Sequence, residues 1–311
     1  MGEVEMGVGV ADRHEIQVEG KTVLITHPEK ELWAKKGIRK IDYLHYLSMI
    51  APHMLPFLAE RALTVIRFPD GVGGKKSFYQ KNVPQQAPKF VCTTSHDGNE
   101  HVVCGDLPTL LWLGNQAAVE FHIPFNRIDD QGPAEIVFDL DPPSREEFVM
   151  AVEAALILKE MFDRLGLISF VKTSGNKGLQ LYIPLAAGTF SYEETRRFTQ
   201  FFANYLVARE PDWFTIERFK ASRGNRLYVD YVQHARGKTV ISPYSLRGNE
   251  EALLAAPLFW HEVTRSLRPT QFPLETIKER LATVGCPFAD FMDAKKKQPL
   301  GPVMKWIAAQ G

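Results

Sequence analysis

The sequence predicts an α+β fold: helices interleaved with strands joined mostly as hairpins, on a mostly antiparallel or mixed sheet. Three observations predict it. Short apolar runs read as strands, as in LTVIRF and in GLQLYIPL of residues 178–185, the latter with strict period-two alternation. Turn signals such as DGVGG and Asp97-Gly98 sit between such runs. Stretches with helical spacing and cap residues fall between the strands.

Taken in order, residues 1–15 read as a loose tail. Ile41, Leu44, Leu47 and Ile50 have helical spacing, predicting a helix over 39–58 that ends near Pro52 or Pro56. Residues 63–68 and 76–83 read as strands joined by DGVGG. KFVCTTSHDGNEHVVCG reads as a hairpin with Asp97-Gly98 at its tip. Pro108 opens a helix running through LLWLGNQAAVEF. Ser144 with Glu147, and Ser191 with Glu194, have capping-box spacing before amphipathic helices, the first stopping at Gly166. Strands are expected at 167–173, 178–184, 226–232 and 238–242. No linker stands out between 20 and 290, so 16–311 reads as one domain.

The 311 residues are 45% hydrophobic and 24% charged, which suits a globular protein able to bury a core. No run approaches the roughly 20 apolar residues a membrane helix needs, and the first residues do not read as a secretory leader. Three cysteines are too few for a disulfide framework, and a cytoplasmic setting is expected. The 37 basic and 37 acidic residues cancel, yet charge is clustered. Lys21, Lys30, Lys35, Lys36, Arg39 and Lys40 crowd 21–40, and seven Arg or Lys residues crowd 217–247. Two runs of one sign in a neutral chain point toward a polyanion.

In IVFDLDPP, strand alternation puts Asp139 and Asp141 on one face, within about 7 Å of each other. Two anions so close call for a shared proton or a cation, and hard divalent ions prefer such oxygens. Asp230, in RLYVDYVQ, is a third acid in an otherwise apolar strand, on the face of Tyr228 and Val232. Three carboxylates on two strands can equip a two-metal site. A bare D-x-D also serves glycosyltransferases that use nucleotide sugars, and a DNA-end-binding module with a vestigial site is a non-catalytic alternative. Ser174-Gly175-Asn176-Lys177-Gly178 is a turn with two glycines, a hydroxyl and a lysine, able to meet a phosphate or simply to close a hairpin. Arg247 offers a guanidinium fork. His122 precedes the acidic strand. Cys92, His96, His101 and Cys104 lack the spacing of a common zinc finger, and the hairpin accounts for them, so zinc is not expected.

RFPDGVGGKKSFYQKN, LLWLGNQAAVEFH, VFDLDPP, KTSGNKGLQLYIPL, VDYVQHARGKTVISPYSLR and APLFW, in this order, resemble the polymerase domain of bacterial DNA ligase D. That domain belongs to the archaeo-eukaryotic primase superfamily, and the resemblance runs from about residue 20 to 265. It implies two sub-sheets flanked by helices, and a gap-filling and end-extending nucleotidyltransferase of non-homologous end joining that favours ribonucleotides. It implies that Asp139, Asp141 and Asp230 hold two Mn²⁺ or Mg²⁺ ions. By the same resemblance His122, Ser174, Lys177, Gln180 and Arg247 meet the nucleotide, and Lys30 and Lys40 a DNA 5′-phosphate. Phe78 stacks on the template with Tyr79 beside it. DNA, nucleoside triphosphates, Ku and a ligase follow as partners, with a nucleoid-associated location. Two positions depart from the family pattern: Gln180 stands in place of histidine, and His27 in place of asparagine.

Overall fold

The structure, a computed structural model, describes residues 12–310. They divide into two compact units, one formed by residues up to Ile123 with Val240–Leu253, the other by Pro124–Thr239 with Leu254 onward. Two of the three crossings fall inside or at the end of a strand, Ala118–Pro124 and Thr239–Ile241. No change of composition therefore marks them in the sequence.

In the first unit, Arg13–Val18 pairs antiparallel with Lys21–Thr26. The expected tail thus overreached: Arg13, His14 and Glu15 are ladder residues, while residues 1–11 lie outside those described. A helix spans Lys40–Leu58 and runs through both prolines expected to end it. Pro52 and Pro56 lie on its exposed side, where water can serve the carbonyls they leave unpaired. Tyr43, Leu47, Ile50, Met54 and Phe57 bury the other face. Each such side chain contributes about 1.5–3 kcal/mol.

Asp106 caps the next helix, Leu107–Asn115, by accepting from the Thr109 N–H at 2.9 Å. That helix stops earlier than expected. Ala117 has φ +57° and turns the chain into a buried strand, Ala118–Pro124. AVEFHIP is buried on both faces, so it lacks the alternation that betrays a strand. A four-stranded sheet follows the order Thr239–Ile241, Ala118–Pro124, Thr64–Arg67, Phe78–Gln80. Cys92–His96 and Asn99–Val103 close the hairpin through Asp97 and Gly98, both at positive φ as a two-residue turn of this type requires.

The second unit carries a six-stranded sheet in the order Phe214–Thr215, Leu227–Val229, Glu135–Asp141, Leu179–Pro184, Phe170–Thr173, Pro257–Leu258. All its pairs are antiparallel except the first, which is parallel. Helices Phe148–Arg164 and Tyr192–Arg209 pack against the central strands. Phe138 meets Phe162, Phe198 and Phe202 there, at ring separations of 5.6–6.2 Å. That packing settles the strand's facing: Phe138 and Leu140 are wholly buried, and Asp139 and Asp141 take the other side.

Ser191 and Glu194 form the expected reciprocal cap. Ser144 and Glu147 do not. Their side chains bond each other within a turn, and the helix starts only at Phe148 with no side-chain cap. Gly166, at φ +68°, follows its last turn. Among the described residues no helix is long and apolar enough to cross a membrane.

Candidate active site

The Glu135–Asp141 strand pairs with Leu227–Val229 in the register Leu140↔Val229 and Asp141↔Tyr228. Asp230 lies one residue past the end of that strand, which is shorter than the expected 226–232. The ladder nevertheless continues through it, because the Asp230 N–H donates to the Asp139 carbonyl at 3.1 Å. Residues directly opposite in such a pair project on one face, so the three aspartates are neighbours on one side of the sheet.

Each acid has a polar partner. Asp139 Oδ1 accepts from Gln180 Nε2 at 3.1 Å. Asp141 Oδ1 lies 3.1 Å from Lys177 Nζ. Asp230 Oδ1 accepts from the Tyr228 hydroxyl at 3.1 Å and from the Gln233 N–H at 3.0 Å. Burial, then the Asp230 charge, pushes the Tyr228 phenol up to about 12, so it stays a donor. In this arrangement no three His, Cys, Asp or Glu side chains among the described residues are placed to hold a metal ion. The donor set nonetheless suits hard divalent cations: three carboxylates on adjoining backbone, none of them in the sealed core.

The turn before Leu179 is built against the acids. Ser174 accepts the Gly178 N–H at 3.0 Å through its hydroxyl, and Lys177 Nζ donates to the Pro142 carbonyl at 2.7 Å. A Cβ on Gly178 would run into the Leu140 carbonyl, so only glycine lets the turn lie so close to the acidic strand.

Gln180 has a partner that spacing alone does not reveal. Lys172, wholly buried, donates to Gln180 Oε1 at 2.6 Å. The registers Asp139↔Gln180 and Lys172↔Gln180 set the three in one row across three strands. An ammonium only donates, so the amide oxygen faces Lys172 and the amide nitrogen faces Asp139.

In the first unit His122 and Arg247 meet on a common acid, Glu120, at 2.9 Å each. The Gly248 N–H donates to its other oxygen at 2.9 Å. Burial would raise the Glu120 carboxyl, but these donors and the Arg247 charge outweigh it and hold it down to about 2. Glu120 was not singled out from the sequence; its signal was the i, i+2 spacing to His122, masked while AVEF was read as helix.

Lys30 and Lys40 are joined through the Lys40 N–H and the Lys30 carbonyl at 2.8 Å. Lys30 is exposed and its ammonium donates to the Pro69 carbonyl. Lys40 is buried, with Nζ on the Thr26 carbonyl at 2.6 Å. Burial first, then the Lys30 charge, lowers it to about 8. His27 precedes them at φ +48°, a left-handed conformation that asparagine also tolerates, which accounts for the asparagine expected there. Phe78 lies under the Arg67 guanidinium at 5.4 Å, and Tyr79, 71% exposed, stands 6.3 Å from the His122 ring.

The family described as LigD, primase-polymerase domain matches residues 39–288. The chain belongs to that family. It is 49% identical over 292 residues to the bifunctional non-homologous end joining protein LigD of Bacillus subtilis, covering 94% of this chain and 48% of that protein. It is 32% identical over 271 residues to the multifunctional LigD of Mycolicibacterium smegmatis, covering 85% of this chain and 35% of that one. The chain thus spans about half the length, or less, of these curated relatives. The polymerase domain from Mycobacterium tuberculosis ligase D, solved in complex with DNA, superposes with a TM-score of 0.79 at 29% identity. That likeness covers 88% of this chain and 98% of the other, and it matches the mixed α+β architecture described above.

Proposed function

We propose that this chain is a template-directed nucleotidyltransferase that fills short gaps and extends broken DNA ends in non-homologous end joining. The observation that carries the reading is the placing of Asp139, Asp141 and Asp230 side by side, tied by the Asp230 N–H on the Asp139 carbonyl. Family membership and the DNA-bound neighbour support it.

In this reading the three aspartates hold two divalent ions, manganese or magnesium. When bound, the ions activate the primer 3′-hydroxyl and neutralise the departing pyrophosphate. The chain's own residues do the rest. Lys177 is assigned to the triphosphate, its amine already held by the Pro142 and Pro143 carbonyls. Ser174 shapes the turn that presents Lys177. Gln180 orients Asp139 without bringing a charge of its own, as the family's histidine could. His122 and Arg247 are assigned to the nucleotide, Lys30 and Lys40 to a 5′-phosphate, and Phe78 with Tyr79 to template stacking. Ribonucleotide preference, a cytoplasmic nucleoid setting, and Ku and a ligase as partners belong to the same proposal.

The test is primer extension on a gapped, 5′-phosphorylated duplex, comparing rNTP with dNTP and Mn²⁺ with Mg²⁺. Wild-type protein should add templated nucleotides, ribonucleotides faster, and Asp139→Ala should not. Extension by Asp139→Ala at the wild-type rate would defeat the metal-site reading.

A further inference from the structure

Glu120 presents a puzzle of sign. A residue pair assigned to a polyanionic nucleotide, His122 and Arg247, is gathered around a buried negative charge. By charge alone that carboxylate opposes the nucleotide, and a neutral side chain would serve better.

Geometry supplies the reason to keep it. Ala118–Pro124 is buried throughout, and Glu120 and His122 project on one face of it. One Glu120 oxygen accepts from both His122 Nε2 and Arg247 Nη1, and the other from the Gly248 backbone. Gly248 lies against the Phe68 ring, which a Cβ there would strike, so only glycine fits at this point of the chain. The Arg247 backbone is itself tied to Leu253 at 2.9 Å. An ionised carboxylate only accepts, so the His122 proton sits on Nε2, and in the neutral ring Nδ1 is left as the acceptor. Glu120 therefore fixes one tautomer and one guanidinium orientation at once.

We propose that Glu120 is a positioning residue: an internal anion that holds His122 and Arg247 as a preformed receptor for the incoming nucleotide, at the expense of opposing its charge. The inference rests on the nucleotide role proposed above for those two residues. It makes a prediction opposite in sign to simple electrostatics. Glu120→Gln removes a negative charge, which by Coulomb attraction tightens nucleotide binding. Its amide, however, must set a donor either against His122 and Arg247 together or against the Gly248 N–H, and either way the receptor loosens.

The experiment is a calorimetric titration of the full chain with ATP and Mg²⁺ in the absence of primer. Glu120→Gln should weaken binding by at least tenfold. Glu120→Asp, which keeps the charge but is one methylene too short to reach both partners, should weaken it comparably. Nitrogen-15 spectra should show His122 as the Nε2–H tautomer in the wild type and as a mixture in Glu120→Gln. Binding by Glu120→Gln equal to or tighter than wild type, or an unchanged His122 tautomer, would overturn the inference. Should Glu120→Gln fail to fold, Glu120→Asp carries the same test, and wild-type affinity in that variant overturns it. A wild-type chain that binds no ATP defeats the polymerase reading instead, since the inference is read only from ratios to wild type.

Discussion

Lys40 gives the sharpest prediction, because its ammonium should change state within an accessible pH range. Burial and the neighbouring Lys30 charge place it at about 8. In free protein the side chain is then about nine-tenths charged at pH 7 and about one-thirtieth charged at pH 9.5. A phosphate monoester is already dianionic across that window. If the charged form alone grips the 5′-phosphate, the advantage of 5′-phosphorylated over 5′-hydroxyl DNA should fall about thirtyfold between those pH values. A charge-assisted hydrogen bond of about 1.5–3 kcal/mol is large enough to carry that loss. The assay is fluorescence anisotropy with two gapped duplexes differing only in the 5′ group, so that other titrations cancel in the ratio. Lys40→Met should show a small ratio at every pH. A wild-type ratio constant within about twofold from pH 7 to 9.5 would refute the reasoning.

The same group affects stability with the opposite sign. Its folded value lies below the ordinary 10.5 of lysine, so from about pH 8 to 10.5 the unfolded chain holds more protons. Stability contributed by Lys40 therefore rises with pH through that window, by on the order of 3 kcal/mol at most. DNA-free protein should melt higher at pH 9.5 than at pH 8 relative to Lys40→Met, while its preference for the 5′-phosphate declines. Loss of both trends together would remove the lowered ammonium from the explanation.

Three further outcomes follow from the contacts described. Gln180→His sets an imidazole against the buried Lys172 ammonium and should slow primer extension. Combined with Lys172→Met it should cost less than the two single changes summed, by about 0.5–3 kcal/mol in a double-mutant cycle, and additivity would sink the coupling. Gly178→Ala forces a methyl group into the Leu140 carbonyl and should lower stability by about 1–3 kcal/mol, read from thermal melts, with an unchanged melt counting against the close approach. Phe78→Ala should weaken binding of a gapped template by about 1–3 kcal/mol while Phe78→Trp retains it, and equal affinities for Ala and Trp would exclude stacking.

Much of this was legible in the sequence because it rests on local rules. The hairpin at Asp97-Gly98 follows from residues that tolerate positive φ, and the Ser191–Glu194 cap from a three-residue spacing. The same-face placing of Asp139 and Asp141 follows from strand alternation. What escaped had two physical causes. The first is burial on both faces: AVEFHIP carries no alternation, so its first four residues read as a continuation of helix, and Ala117, a non-glycine residue in the left-handed region, gave no sign of the break. The second is facing. Pro52 and Pro56 look like helix breakers until the helix shows them to solvent. Ser144 and Glu147 have capping spacing, but their side chains bond each other and the helix waits until Phe148.

The charged residues missed beside the candidate site, Glu120 and Lys172, share a further property. Each lies buried next to a residue that was singled out, Glu120 under His122 and Arg247, Lys172 behind Gln180. Glu120 is two residues from His122 but far in sequence from Arg247, and Lys172 reaches Asp139 only through a row crossing three strands. Such rows are set by pairing register, which no spacing within one strand encodes. An isolated charge buried in a strand is too costly to persist without partners. Once Gln180 is placed over Asp139, its oxygen requires a donor, and the opposite position on the next strand is the only directly paired place from which one can come. The role of Gln180 is therefore legible only together with Lys172. A neutral amide suits a buried ammonium, whereas a protonated imidazole would repel it. The Lys172 charge, one strand further back, reaches Asp139 through an oriented amide.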